Sequence, residues 1–354
     1  MTPVASTIAG LAEGETPMTA CIAKRSYATA AKAAALLAVG FFLGCFSACA
    51  QTAGQSTFAT PEEAVKALTA AAQSKDRAAL EKVFGSGYTD LLSGDEVEDA
   101  NDLDTFANST RESTQLEKVD DAKYTVTVGK DNWPTPIPVV AKEGKWFFDT
   151  TAGLDEVLNR RVGENELSAI ATVRAYAVAQ WEYFTESDWD HDSVAEYAQR
   201  LVSSQGSHNG LYWETADDAT PSPLGKFVAA ARAEGYGPKS TAPDQAGKGG
   251  AAKEERADSE RSPYHGYYFK ILTRQGPHAP GGRYSYIING NMIAGYAMVA
   301  YPAKWGNSGI MTFVINQQGR VYQKNLGPNT ERLAAGMTEY NPDITWKSVD
   351  TDTN

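Results

Sequence analysis

Cysteine is nearly absent from this chain. Only three occur in 354 residues, Cys21, Cys45 and Cys49, so everything beyond residue 50 lacks thiols. A disulfide framework, a cysteine-ligated zinc and a cysteine nucleophile are excluded from that part. Histidine is also scarce. His191, His208, His265 and His278 are the full set, and none stands in H-E-x-x-H or another metal-binding spacing. Positive charge is short: 32 Lys and Arg face 44 Asp and Glu, a formal charge of −12. That balance argues against a nucleic-acid binder, whose phosphate contacts need clustered cations. Gly306-Asn307-Ser308-Gly309 is not the G-x-S-x-G nucleophile elbow. Gly276–Gly282 makes a Pro- and Gly-rich turn, not a phosphate loop.

What is present suffices for real cores. The chain is 42% hydrophobic and 10% aromatic, and its length suggests two domains. One apolar run stands out, Ala33–Gly44, preceded by Lys24, Arg25 and Lys32 and followed by Cys45-Phe46-Ser47-Ala48-Cys49-Ala50. A positive segment, an apolar core of about a dozen residues and a small-residue exit make residues 1–50 a secretory signal peptide; a bilayer span needs about 20. A membrane anchor reaching Ala50 is the alternative. Cleavage after Ala48-Cys49-Ala50 competes with a lipobox-like Phe46-Ser47-Ala48-Cys49, in which Cys49 carries the lipid. Met18 is an alternative start. The expected location is outside the cytoplasm, in the periplasm or cell envelope. Membrane contact is expected only through a lipid anchor, because an acidic surface is repelled by anionic headgroups.

Residues 51–57 read as a linker and 58–158 as a first domain. Thr60-Pro61-Glu62-Glu63 has the form of a capped helix start, and a second short helix from Asp76 to Phe84 should stop at Gly85. Strands are expected at 123–128, 137–141 and 145–149, the last two joined by a Glu143-Gly144 hairpin. Between them, prolines at every second position suit an edge strand. Helices followed by a curved antiparallel sheet is the element order of the cystatin-like cone, as in nuclear-transport-factor-like domains. Trp133, Trp146, Phe147 and Phe148 are candidates to line a cone pocket, with ordinary core packing as the competing use.

Residues 159–348 read as a second domain. Its helix is expected over Glu164–Phe184, with Ile170, Val173, Ala177, Trp181 and Phe184 as the buried stripe. Asn165-Glu166-Leu167-Ser168-Ala169-Ile170, Arg174, Ala179-Gln180 and Tyr183, with the apolar segments 295–302 and 309–321, resemble the soluble half of type IV pilins and type II secretion pseudopilins. The resemblance implies a helix packed on a small antiparallel sheet, hence an α+β chain overall. A folded domain precedes this helix where a pilin has its processing site, so the module is not expected to be processed as a pilin. Residues 237–262 form a polar loop expected to be disordered, and 349–354 a polar tail.

The exported region as a whole carries a denser set of segments, in order. Among them are Phe58-Ala59-Thr60-Pro61-Glu62-Glu63, Val128-Gly129-Lys130-Asp131-Asn132-Trp133-Pro134, Asp188-Trp189-Asp190-His191-Asp192, Pro263-Tyr264-His265-Gly266-Tyr267-Tyr268-Phe269 and Val321-Tyr322-Gln323-Lys324-Asn325-Leu326-Gly327-Pro328. Across residues 58–348 the chain resembles a bacterial exported family catalogued as domain of unknown function 2950. The resemblance implies an envelope protein and no known reaction.

Two groups of residues are candidates for chemistry. Asp188, Asp190, Asp192 and Glu196 place carboxylates at positions 1, 3, 5 and 9 of one short loop, which suits a hard cation such as calcium. Ser193 replaces the turn glycine of a calcium loop and Gln199 its final Glu, so a weaker site than an EF-hand is expected. A solvated acidic turn is the competing reading. The second group is aromatic. His265, Tyr264 and Tyr267 on an expected strand, with Trp133, are candidate ligand-binding residues. The functional expectation is a non-enzymatic module that binds an envelope protein or a surface polymer. The alternatives are an envelope hydrolase or glycan-modifying enzyme using His265 and nearby carboxylates as acid and base, and a calcium-stabilised structural protein.

Overall fold

A computed structural model describes residues 54–186, 194–215, 221–236 and 263–349. The leader with Cys49, the loop bearing Asp188, Asp190, His191 and Asp192, and the polar insertion 237–262 lie outside the described residues. All described residues belong to one compact unit, 48–354, and within it two hydrophobic clusters form separate lobes.

The first lobe begins with helices α1 (Pro61–Ser74) and α2 (Arg77–Phe84). The expected capping box is present: Glu63 N–H donates to Thr60 Oγ1 at 3.2 Å while Ala59 N–H donates to Glu63 Oε2 at 3.0 Å. Asp76 caps α2, and Gly85 ends it with a φ of 72° that favours glycine. A third helix, α3 (Glu96–Glu112), was not legible. It holds twelve polar or charged residues of seventeen and little large apolar surface beyond Val97, Leu103 and Phe106, so its helical period is faint. It forms because Asp95 caps Val97 and Glu98 and three acids occupy its first turn.

The sheet then runs β1 (Thr114–Asp120), β2 (Lys123–Val128), β3 (Trp133–Pro134), β4 (Val139–Lys142) and β5 (Lys145–Phe148), in order β1-β2-β4-β5 with β3 also on β2. All pairings are antiparallel. Glu143 and Gly144 turn the β4–β5 hairpin with φ of 54° and 76°, the two left-handed residues a type I′ turn requires. The region read as linker is partly docked. Gln55 is buried and its side-chain amide donates to Val83 O and Phe148 O.

Helix α4 runs Thr150–Thr185, 36 residues, and starts fourteen residues before the expected Glu164. Gly153 and Gly163 obscure its first half, since glycine is a poor helix former. Gly153 is needed there: a Cβ would lie 2.7 Å from Ile137 Cα and Pro136 O. The expected boundary at 158/159 therefore falls inside one continuous helix. The buried face also differs from the stripe read in the sequence. Ala169, Val173, Tyr176, Ala179 and Tyr183 are the core residues, whereas Trp181 is 45% exposed. Hydroxyl pairing decides this. Tyr176 O–H donates to Ala297 O, and the Gln180 amide donates to Tyr176 Oη and Ala198 O.

The second lobe adds α5 (Gly225–Ala233) and β6 (Tyr267–Leu272), then two small ribbons, β7 (Arg274–Gln275) with β8 (Tyr284–Ser285) and β9 (Ile287–Ile288) with β10 (Asn291–Met292). Its main sheet contains β11 (Ala297–Pro302), β12 (Met311–Asn316), β13 (Tyr322–Asn325) and, after α6 (Thr330–Ala335), β14 (Lys347–Ser348). The order is β14-β13-β12-β11-β6, antiparallel throughout. Helix α4 packs on β11 and β12 and α6 packs on β11, so all six residues of β11 are buried. The molecule is α+β, as the element order implied.

Candidate functional site

Two arrangements deserve description: an apolar cavity in the first lobe and a polar cluster where the lobes meet. The cavity has a volume of about 290 Å³. Helix side chains Leu80, Phe84, Leu103 and Phe106 face sheet residues Val128 and Phe148 across it. Asp99 and Asp102 of α3 and the indole of Trp133 complete its lining. Trp133 is 61% exposed, and the Arg160 guanidinium lies over its ring at 5.3 Å. Of the aromatic residues considered for such a pocket, Trp133 and Phe148 line it. Trp146 instead packs edge-on to Tyr124, and Phe147 is core.

The polar cluster is organised by a turn. Tyr264 and Tyr267 exchange both backbone hydrogen bonds, at 3.0 and 3.1 Å, and His265 and Gly266 between them have φ of 44° and 67°. His265 thus sits on a two-residue turn before β6, not within the strand that alternation suggested. Gly266 is required: a Cβ would lie 2.6 Å from the Asn165 amide and 2.7 Å from Ser308 Cβ. His265 Nε2 is 3.0 Å from Glu234 Oε2, to which the Tyr264 hydroxyl also points. The His265 N–H donates to Tyr236 Oη, whose own proton goes to Asp95 Oδ2 at 3.0 Å. Burial beside the Asp95 carboxylate holds the Tyr236 phenol well above its ordinary range.

Asp95 belongs to the first lobe and His265 to the second, so this chain of bonds ties the lobes. Arg161 of α4 adds to it. Its buried guanidinium donates to Leu91 O and Leu92 O on one side and to Asn307 Oδ1 on the other. Glu98 lies in the same region, 9% exposed, with Oε2 lacking a hydrogen-bond partner. Its carboxyl is raised to about 7 by desolvation first, then by Asp102 and Asp95; the Asn165 amide and Arg161 oppose the rise. Asp102 is exposed to solvent at the cavity, although protein packed around its carboxyl raises it, with Glu164 adding to the rise and Arg161 and His265 opposing it.

Tyr267 does not join this group. It is 1% exposed, its hydroxyl donates to Met311 O, and its ring packs near Phe313. Tyr212 and Trp213, also aromatic, make other contacts: the Arg232 guanidinium lies over Tyr212, and Trp213 packs on His208. His278 is remote in sequence and bonding, its N–H donating to Asn341 Oδ1. Glu196, the one described member of the acidic loop, accepts from Met292 N–H through Oε2 at 2.9 Å. Among the described residues no three His, Cys, Asp or Glu side chains are arranged to hold a metal. Among them, too, no helix is long and apolar enough to cross a membrane.

Sequence reasoning missed Asp95, Glu98, Asp102, Arg161, Glu234 and Tyr236. A signal existed for three of them, since Asp95–Asp104 carries six carboxylates in ten residues. Nothing local shows that this run meets Glu234 and His265.

These features define a two-lobed α+β protein with an apolar cavity and a carboxylate-rich junction. The chain belongs to the family described as "Protein of unknown function (DUF2950)", which it matches over residues 55–349. No match is found among curated proteins, and none among solved structures.

Proposed function

We propose that this chain is an exported cell-envelope protein that works as a non-enzymatic binding or assembly module. In this reading residues 1–50 are its signal peptide, with Cys49 as the alternative lipid attachment point, and its partner is an envelope protein or surface polymer. The first lobe acts as a cystatin-like cone. Three helices against one antiparallel sheet, with a cavity between them, support that reading. The second lobe acts as a pilin-like scaffold, supported by the packing of the C-terminal half of α4 on β11 and β12. The single observation that carries the binding function is the 290 Å³ apolar cavity. Such cavities with a few polar groups at the mouth are the usual form of small-ligand sites.

The test is saturable binding of N-phenyl-1-naphthylamine, a neutral apolar fluorophore, to the exported part of the chain. Binding should occur, and Leu103→Trp, which fills the cavity from α3, should abolish it without lowering the melting temperature by more than a few degrees. A wild-type protein that does not bind the fluorophore overturns the cavity as a binding site.

A second reading, an envelope hydrolase, draws support from the 3.0 Å contact of His265 with Glu234 and from the raised carboxyl of Asp102 at the cavity mouth. Loss of an envelope phenotype in His265→Ala with the fold intact would favour it; an unchanged phenotype removes it. Calcium binding at Asp188, Asp190, Asp192 and Glu196 is tested by melting temperature in excess calcium against chelator. A rise supports it and equality removes it.

A further inference from the structure

The geometry points to the ligand class of the first-lobe cavity: a small apolar body, an alkyl chain or an aromatic ring system, bearing one cationic group. This inference rests on the cavity being a binding site, as proposed above.

The size of the body follows from the volume. At about 290 Å³ the cavity is roughly twice the 150 Å³ void that holds a benzene molecule. It therefore accommodates about two rings or a short alkyl chain, not a lipid with full-length acyl chains. The walls are hydrocarbon and aromatic, so the buried part of the ligand must be apolar.

The charge follows from the mouth. Asp99 and Asp102 line the cavity, and no Lys, Arg or His is among its lining residues. On α3, Asp99 adds to the negative field around Asp102. Glu164 of α4 raises the Asp102 carboxyl further; Arg161 of α4 and His265 of the turn before β6 pull against it, and His265 is itself 3.0 Å from Glu234. Arg161 is already committed to Leu91 O, Leu92 O and Asn307. Arg160 is engaged by Glu156 at 2.7 Å and by Pro134 O. At the α2 end, Arg77 and Glu81 oppose one another beside Tyr88. The mouth therefore keeps uncompensated negative charge. A cation there would pair with the Asp99 and Asp102 carboxylates that line the cavity, whereas an anion would be repelled by them. Trp133 adds a second attraction. One face of its indole carries the Arg160 guanidinium at 5.3 Å, and the ligand cation would use the ring's remaining exposed surface at the lip of the cavity.

The experiment compares three eight-carbon amphiphiles, each below its micelle concentration, by titration calorimetry: octyltrimethylammonium, octyl glucoside and octyl sulfate. The cation should bind roughly three- to tenfold more tightly than the neutral glucoside, the range expected for a rim charge contact plus a cation–π contact. The sulfate should bind most weakly. Raising the salt concentration should narrow the spread. Asp102→Asn should reduce the cation's advantage over the glucoside while leaving the glucoside unchanged. Asp99→Asn should act in the same direction; its amide oxygen can still accept the Ser93 N–H that Asp99 Oδ1 accepts at 2.7 Å. If the glucoside and the naphthylamine bind but the cation gains nothing, the charge inference falls and the cavity stands. If none of these ligands binds, the cavity reading falls and takes this inference with it.

Discussion

Replacing Glu98 by glutamine should make this protein more stable, and by an amount that depends on pH. Glu98 is 9% exposed and its Oε2 has no hydrogen-bond partner. Its carboxyl is raised from 4.5 to about 7 in the folded state. For an acid raised in this way, the folded protein holds the proton more tightly than the unfolded chain. Below pH 4.5 both states are protonated and Glu98 costs nothing through ionisation. As pH rises from 4.5 to about 7 the unfolded chain releases its proton first, and stability falls across that window. Above it the loss is complete. The span from 4.5 to about 7 corresponds to about 3 kcal/mol, at about 1.4 kcal/mol for each tenfold change. Glutamine keeps the volume and cannot ionise, and its amide can donate to the Asp95 or Asp102 carboxylates. Glu98→Gln should therefore match wild type at pH 4.5 and exceed it at pH 8 by up to about 3 kcal/mol, or roughly 5–10 °C in melting temperature. Urea unfolding at half-unit pH steps from 4.5 to 8.5, with the slope of each transition checked for constancy, reads this directly. A variant less stable than wild type at pH 8 would show that Glu98 is an ionised partner of Arg161, and the reasoning would fail.

Other positions give sharper structural tests. Gly153→Ala should destabilise by about 2–3 kcal/mol, because its Cβ would press on backbone atoms at 2.7 Å that cannot swing away; chemical denaturation measures it, and a loss under half a kcal/mol would contradict the close packing of α4 on the Pro136–Ile137 segment. Gln180 is fully buried and makes three hydrogen bonds, two of them with Ala198. Gln180→Leu should cost about 2–4 kcal/mol by leaving Ala198 N–H and C=O unpaired, and amide exchange at Ala198 should accelerate. Tyr236→Phe removes the hydroxyl between Asp95 and the His265 amide; a loss of about 1–2 kcal/mol is expected, read as a lower urea midpoint, and none would mean that this tie does not hold the lobes.

The residues differ in how openly they announced their roles. Thr60 and Glu63 were legible as a capping box because every partner lies within four positions. Glu143-Gly144 was legible as a hairpin because two left-handed residues in sequence have few other uses. β11 and β12 fall within segments 295–302 and 309–321, which were expected to form an antiparallel sheet against the long helix. Helix α3 was not, because its stability comes from capping, first-turn charge and contacts made by only a few large side chains. The rotation of α4 was not, because Tyr176 and Gln180 are buried for partners, Ala297 and Ala198, that lie far along the chain. The structure brings Tyr264 and His265 together on one turn, and that turn at His265-Gly266 sends their neighbour Tyr267 into the core.

By itself the sequence determined which thiol chemistry is excluded beyond residue 50, the α+β order of elements and membership of one family. These properties depend on composition and on residues near one another, and they survive without coordinates. The tertiary structure decided everything that depends on distance between remote segments. It joined both lobes through one 36-residue helix, brought Asp95 of the first to Tyr236 and His265 of the second, and left Glu98 buried without a full set of partners. It also opened a cavity between α3 and the sheet and set Asp99, Asp102 and Trp133 at its lining. Burial and electrostatic coupling are properties of neighbours in space, so no reading along the chain could have supplied them.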